Sequence, residues 1–396
     1  MSRYAIVGRL VLVAALLCAL LAGCGDRAEL PQKGFVMGLA LDEAPEGQIG
    51  LTVQIFKPSQ SVTGRGKPEK SYINIHTDDE SVIEAVRDIT IHLGRKAQWS
   101  HMRIMLVSEQ VARKHSLLSL LEFFYRDHEP RLTTHMFVTK GEAAHYMDIA
   151  PYIENSVSQQ YFLSEHSSHE MTGKSVTTNL LELALQSRSP SAVAMIPYLY
   201  EQKSGGETAP AAAGAALLVD GRVKEIVPDN LLEGVQLLNN RYKNGIIEVP
   251  CSANPTGERL LHEDTVEVLS TRTAMRVLPA GDRLHLIFRL KATTALSELV
   301  CGQSLKKEGE LELRRRIEMK LEHMMSESMD WLLQKQVDAI GAGNRLFERQ
   351  TKLWRQWKPQ WPRRFARSTY EVHADVTIFT SGTNVGKPID KRQGDS

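Results

Sequence analysis

The sequence is short of three things. It has only four cysteines in 396 residues, too few for a scaffold built on disulfides. Neither charge is in surplus: 48 Lys+Arg against 47 Asp+Glu leaves a net +1, which excludes a protein that grips nucleic acid through an overall basic excess. Past the N-terminal segment there is no uninterrupted apolar run of ~18 residues, so no later transmembrane helix is expected. What remains is an ordinary globular composition, 42% hydrophobic and 24% charged, enough for two or three domains.

Catalytic constellations are also missing. Glu165-His166-Ser-Ser-His169-Glu170 is the one His/Glu cluster. Its histidines stand at i, i+3, not at the i, i+4 spacing that puts two imidazoles on one metal in His-Glu-x-x-His. Its polar setting reads as a solvated loop. Gly173-Lys174-Ser175-Val176-Thr177 lacks the second glycine of a nucleophile elbow, and no strand leads into it. Gly64-Arg-Gly66-Lys67 is too short to cradle a phosphate. Asp78-Asp79-Glu80 reads as a helix start, where carboxylates favour the positive dipole end. No catalytic residue, cofactor or metal is expected.

The N-terminus carries the sharpest signal. Arg3 and Arg9 precede Leu10 to Leu21, an uncharged stretch of signal-peptide length that is short of the ~20 residues a spanning helix needs. It ends in Leu21-Ala22-Gly23-Cys24, the form of a bacterial lipobox. In that reading residues 1–23 are removed and the Cys24 thiol carries a diacylglyceryl group. Two acyl chains, at ~0.8 kcal/mol per buried CH₂, hold a soluble body on a bilayer. The mature chain keeps Cys251 and Cys301. These are expected as two buried free thiols, with a disulfide as the alternative in an oxidising compartment.

Along the mature chain, Phe35–Leu41 and Gly50–Phe56 flank a polar, Pro/Gly-marked turn and read as a hairpin. Tyr72–His76 alternates as a strand. Thr77, with Glu80 three residues on, reads as a capping box opening a helix over 78–95. Strands follow at 101–108 and 131–140, with a helix at 116–126 between them. Short helices are expected at 146–156 and 176–185, and an edge strand at 196–200. The Gly-, Ala- and Pro-containing stretch 201–215 reads as a linker. Asp220-Gly221 between two apolar runs is a hairpin signal, and a helix follows over 228–239. Strands are expected at 246–250, 265–278 and 283–292. A helix of about 50 Å runs over 308–340 and stops at Gly341-Ala-Gly343. A second helix, capped by Asn344, reaches Trp357, and a last strand occupies 370–380.

The expected fold is α+β: three mixed α/β domains, each a mainly antiparallel sheet flanked by helices, the last with the long helix. The divisions are 24–200, a linker at 201–215, a small ββα unit at 216–245, a C-terminal domain at 246–385 and a disordered tail at 386–396.

Residues 345–367 hold eight Lys/Arg against the single Glu348, interleaved with Phe347, Trp354, Trp357, Trp361 and Phe365. The aromatics are expected to pack inward. Arg345, Arg349, Lys352, Arg355, Arg363 and Arg364 then form a candidate face toward anionic headgroups or an acidic partner.

Several stretches together resemble one family. They are the Leu-Ala-Gly-Cys24 box, Leu51-Thr-Val-Gln-Ile55, Ser81-Val-Ile-Glu-Ala-Val-Arg87, Trp99-Ser-His101-Met-Arg103 and Phe123-Phe-Tyr-Arg126-Asp127-His-Glu-Pro130-Arg131. Farther on lie Val-Asp220-Gly221-Arg, Val249-Pro250-Cys251, the long charged helix, Trp354-x-x-Trp357 and Val372-x-Ala-Asp-Val376. In order and spacing the mature chain is similar to the Ger(x)C family, the C-subunit lipoproteins of spore germinant receptors. The resemblance implies a non-enzymatic subunit that assembles with an A-type multispanning and a B-type transporter-like subunit. It implies a place on the extracytoplasmic side of the spore inner membrane, with Cys24 as the one defined functional residue. The alternative is an extracytoplasmic solute-binding lipoprotein feeding a transporter.

Overall fold

The structure, a computed structural model, describes residues 33–57, 70–251, 263–301 and 307–379, together with 7–8 and 12–13. Cys24 and the tail 386–396 lie outside the described residues. The chain folds as mixed α/β layers around two sheets.

The first sheet holds β1 (Lys33–Glu43), β2 (Ile49–Phe56), β3 (Tyr72–Asp79), β4 (Lys96–Gln98), β5 (Ile104–Ser108), β6 (His135–Thr139), β7 (Val193–Ser204), β8 (Glu207–Val219) and β9 (Arg222–Val227). Their order is β3-β2-β1-β5-β6-β7-β8-β9, with the short β4 paired to β1. The centre is parallel (β1, β5, β6, β7) and both flanks are antiparallel hairpins. Parallel neighbours need crossovers, and crossover helices cover both faces. On one face pack α1 (Val82–Leu93), α2 (Glu109–Lys114), α3 (Leu117–Leu120), α4 (Glu122–Arg126) and α7 (Leu180–Ser187). On the other lie α5 (Ala143–Asp148) and α6 (Val157–Thr172). The strands between are accordingly buried without alternation: every residue of β5 is inside.

The helix expected over 78–95 begins later. Strand β3 runs on to Asp79, and the Thr77 hydroxyl donates to the Ala85 carbonyl at 3.0 Å instead of capping. The cap is Ser81, whose Oγ accepts from the Glu84 N–H. The Ser/Thr-x-x-Glu signature occurs twice within eight residues, and burial of Thr77 in the strand selects the second.

Residues 201–215, expected as a linker, form the outer part of the β7–β8 hairpin, which turns at Gly205-Gly206 with φ of 60° and 90°. A Gly-Gly pair supplies the two left-handed residues that a tight hairpin turn needs. Strand β7 is interior, between β6 and β8, and is not an edge. Asp220-Gly221 is a turn of the same kind, with φ of 50° and 80° and Val219 opposite Arg222. Strands β8 and β9 of the expected ββα unit join this first sheet. Its helix, α8 (Asp229–Leu238), packs Leu232, Val235 and Leu238 into the core shared with the second sheet.

The second sheet is β10 (Gly245–Pro250), β11 (Glu263–Ala280), β12 (Arg283–Glu298) and β13 (Thr369–Ile378), in chain order, with only β12–β13 parallel. Helices cover one face: α9 (Lys307–Lys335), α10 (Ala342–Arg349), α11 (Thr351–Trp357) and α12 (Trp361–Ala366). Along β12 the residues Leu284, Leu286, Phe288 and Leu290 are buried, while their odd-numbered neighbours stay in or near solvent. Helix α9 stops at Lys335, short of the expected Ile340. Gln336 takes a left-handed φ of 59°, and Val337 turns into the core.

The polar side of α9 has its own work. Arg314, Glu318, Glu322, Ser326 and Asp330 stand four residues apart, one above another on the helix. They run along the outer edge of β13. Glu322 accepts from the Ala374 N–H (2.9 Å) and Glu318 from the Val376 N–H (3.1 Å). Tyr370 donates to Asp330, and Arg314 pairs with Asp375. An edge strand that would otherwise offer bare amides to another chain is thereby covered.

Candidate functional site

Helices α10 to α12 carry the basic and aromatic residues singled out in the sequence. They start from a buried carboxylate. Asp338 accepts from the N–H groups of Ala342 (2.8 Å) and Gly343 (2.7 Å) and from Trp361 Nε1 (3.2 Å). It therefore does the capping that was expected of Asn344, whose Oδ1 instead accepts from the Ser191 N–H across the junction with the first sheet. Burial pushes the Asp338 carboxyl up to about 6, although its three hydrogen bonds pull the other way. Gly343 is required by close approach: a Cβ there would stand 2.7 Å from the Trp354 ring.

The aromatic residues face in. Trp354, Trp357, Trp361 and Phe365 are all buried, with Trp354 and Trp361 edge to face at 4.8 Å. Phe347 is the exception, 38% exposed. Of the six candidate cations, Arg345, Arg349, Lys352, Arg355 and Arg363 are exposed on the outer side of these helices. Arg364 is half-buried: its guanidinium lies over Trp357 at 4.6 Å and donates to the Asp282 carbonyl. Arg345 is partnered by Glu348. So the structure places five of the six on one helical layer, while Arg364 ties that layer to the β11–β12 turn.

The Glu165/His169 cluster lies in α6, not in a solvated loop. Glu165 is fully buried, with its Oε2 2.6 Å from His135 Nδ1 and its Oε1 accepting from the Thr178 N–H. Burial pushes this carboxyl up and the imidazole opposes it. His169 Nδ1–H donates to the Ser175 carbonyl, and His166 is exposed. These are pairwise contacts that stitch α6 to its neighbours. Among the described residues no three His, Cys, Asp or Glu side chains converge as metal ligands would.

Cys251 and Cys301 are joined as a disulfide, against the expectation of free thiols. The pairing comes from the sheet, which returns the end of β10 and the chain after β12 to one place (Cα–Cα 5.4 Å). Beside it lies a buried ion pair: Arg316 Nη2 donates to Asp264 Oδ2 (2.5 Å), and Asp264 Oδ1 accepts from the Val300 and Cys301 N–H groups. Arg316 Nη1 also reaches the Pro250 carbonyl. Nothing in the local sequence marks Asp264 or Arg316, because their partners come from four separate segments.

A cleft of about 320 Å³ opens at the junction of the two sheets, lined among others by Gln186, Ser191, Asn239, Arg241, Asp338 and Asn344.

Comparison with known proteins agrees with this architecture. A family model described as spore germination protein N-terminal domain matches residues 26–200, and one described as spore germination B3/GerAC like, C-terminal, matches 213–382. The chain belongs to the Ger(x)C family. Its members are C-subunits of germinant receptors in spore germination. It is 24% identical over 372 residues to spore germination protein B3 of Bacillus subtilis (strain 168), covering 93% of this chain and 96% of that one. To spore germination protein KC of the same organism it is 20% identical over 391 residues, covering 91% and 93%. The crystal structure of the GerBC protein has the same fold, with a TM-score of 0.53 at 18% identity over 86% of this chain and 97% of that one. The mixed α/β reading of the sequence agrees with that fold.

Proposed function

We propose that the chain is a lipid-anchored subunit of a nutrient germinant receptor. It is held on the extracytoplasmic side of the spore inner membrane by a diacylglyceryl group on Cys24, and it acts without chemistry, by assembling with A-type multispanning and B-type transporter-like subunits. The observation that carries the reading is adjacency: Leu21-Ala22-Gly23-Cys24 stands directly ahead of the family match, which begins at residue 26. The Cys251–Cys301 disulfide supports an oxidising compartment. Arg345, Arg349, Lys352, Arg355 and Arg363, exposed on the α10–α12 layer, are the proposed contact to a partner subunit. Purification of the tagged chain from spore membranes, with mass spectrometry of its companions and of Cys24, tests this. Recovery of the two integral subunits with an acylated Cys24 is expected; an acyl-free chain recovered alone contradicts it.

A second reading, a solute-binding lipoprotein, is favoured only by the junction cleft with its polar lining. Calorimetric titration of the full mature chain with candidate germinants separates the two, since only a solute-binding protein gives saturable heat without its partners.

A further inference from the structure

The second sheet has helices on one face only, and its open face is polarised. After the irregularity between Val268 and Ser270, the even-numbered residues of β11 point outward, as do the odd-numbered residues of β12 and β13. Arg272 and Arg276 on β11 and Arg289 and Lys291 on β12 are all exposed there. The register puts Arg272 directly opposite Lys291, and Arg289 opposite Ala274, diagonal to both Arg272 and Arg276. Among the described residues none of the four has a carboxylate within ion-pair distance. The acids of the same face sit on β13, where the register puts Asp375 opposite Lys291 and Glu371 diagonal to Arg289; their ion pairs are made with other groups, Glu371 with His285 and His373, Asp375 with Arg314.

Like charges opposite each other on neighbouring strands oppose folding, and no acid interleaves them between β11 and β12. Such an arrangement is explained by something anionic outside the chain. What kind is decided by the rest of the face. Its other outward residues on β11 and β12 from Ser270 to Thr293 are Ser270, Ala274, Leu278, Ala280, Arg283, His285, Ile287 and Thr293, with no aromatic among them. Packed protein interfaces are depleted of charge at their centre and enriched in aromatics; this face is the reverse. A broad open sheet with cations at its middle and few apolar anchors suits the headgroup layer of an anionic bilayer, where each Lys or Arg adds to attraction without needing a shaped pocket.

We propose that the open face of β11 and β12 docks on anionic phospholipid headgroups through Arg272, Arg276, Arg289 and Lys291. This rests on the membrane-anchored reading above and adds the orientation of the body. The α10–α12 layer is on the opposite side of the sheet, so its cations then face away from the bilayer and are free for a partner subunit.

The test uses the full mature chain from residue 24 with Cys24→Ala, so that no acyl chain contributes, sedimented with vesicles of phosphatidylglycerol and phosphatidylcholine at low salt. Binding that grows with phosphatidylglycerol content and fades with salt is expected. The combined Arg272→Gln, Arg276→Gln, Arg289→Gln, Lys291→Gln variant should partition more than about 100-fold less, at roughly 5-fold per cation. A variant with Arg→Lys at the first three positions keeps the charge and should bind as the parent does, which guards against a folding artefact. Changing Arg345, Arg349, Lys352 and Arg355 to Gln should leave partitioning nearly unchanged. The proposal is overturned if the sheet variant binds like the parent, if the helical variant is the one that loses binding, or if pure phosphatidylcholine binds equally well. It is overturned too if soluble polyglutamate binds and vesicles do not, which would make the partner an acidic protein. The mass of the unmutated protein reports separately on Cys24: an acyl-free thiol with intact vesicle binding would sink the anchor and leave the face standing.

Discussion

The two sheets bury their strands in different ways. In the first, neighbours along a strand are both inside, as Met105 and Leu106 are on β5. In the second, Leu290 is buried and Lys291 is exposed beside it. The first sheet is parallel at its centre, so its crossover helices coat both faces there, and its strands reach solvent mainly at the antiparallel flanks, β3, β9 and the outer β7–β8 hairpin. The second is closed on one side by α9 to α12 and keeps a bare face. The open sheet face therefore belongs to the C-terminal half, while the centre of the N-terminal sheet is a doubly covered core.

Adjacent substitutions would break that contrast most forcefully. Met105→Ala and Leu106→Ala should each destabilise by about 2–5 kcal/mol. Leu290→Ala should do the same, but Lys291→Ala should stay within about 0.5 kcal/mol in urea titrations. Equal costs at Leu290 and Lys291 would mean that the second sheet is covered on both sides.

The disulfide gives the next largest effect. It closes a separation of 50 residues in the C-terminal half alone. Cys251→Ser should lower stability by about 2–4 kcal/mol, and a reductant should then have no further effect, whereas it should lower the parent by the same amount. Asp338 gives a pH-dependent effect of similar or smaller size. Its folded-state carboxyl is raised from 3.8 to about 6, so the unfolded chain releases this proton first as pH climbs. Stability present below pH 4 is therefore lost between about pH 4 and pH 6, to the extent of roughly 3 kcal/mol. Asp338→Asn should remove that slope from a series of melts, at a fixed cost from the poorer cap. The smallest expected effect is a gain: Arg272→Thr, free of lipid, should raise stability by about 0.2–1 kcal/mol by relieving its opposition to Lys291.

How much was legible in the sequence follows the same division. Alternation, turn residues and the inward Trp354, Trp357 and Trp361 stripe were readable, because each is a local pattern with a local cause. The Asp220-Gly221 turn and α8 fell where they were expected. Residues 201–215 were misread because Ala, Gly and Pro look like spacer until the Gly205-Gly206 turn pairs the two arms. The Glu165–His135 contact was missed because α6 carries no apolar stripe and His135 comes from a strand 30 residues earlier. The disulfide and the Asp264–Arg316 pair depend on β10–β12 register, which spacing along the chain does not contain. Asp338 was overlooked for Asn344, since its capping comes from a carboxylate four residues before the helix it serves.

The most direct measurement is fractionation of spores carrying the parent chain or Cys24→Ala, scored together with their response to nutrient. The parent should stay with the inner-membrane fraction while the variant is shed and the response falls. A variant that remains membrane-bound and germinates normally would contradict the tethered-subunit account.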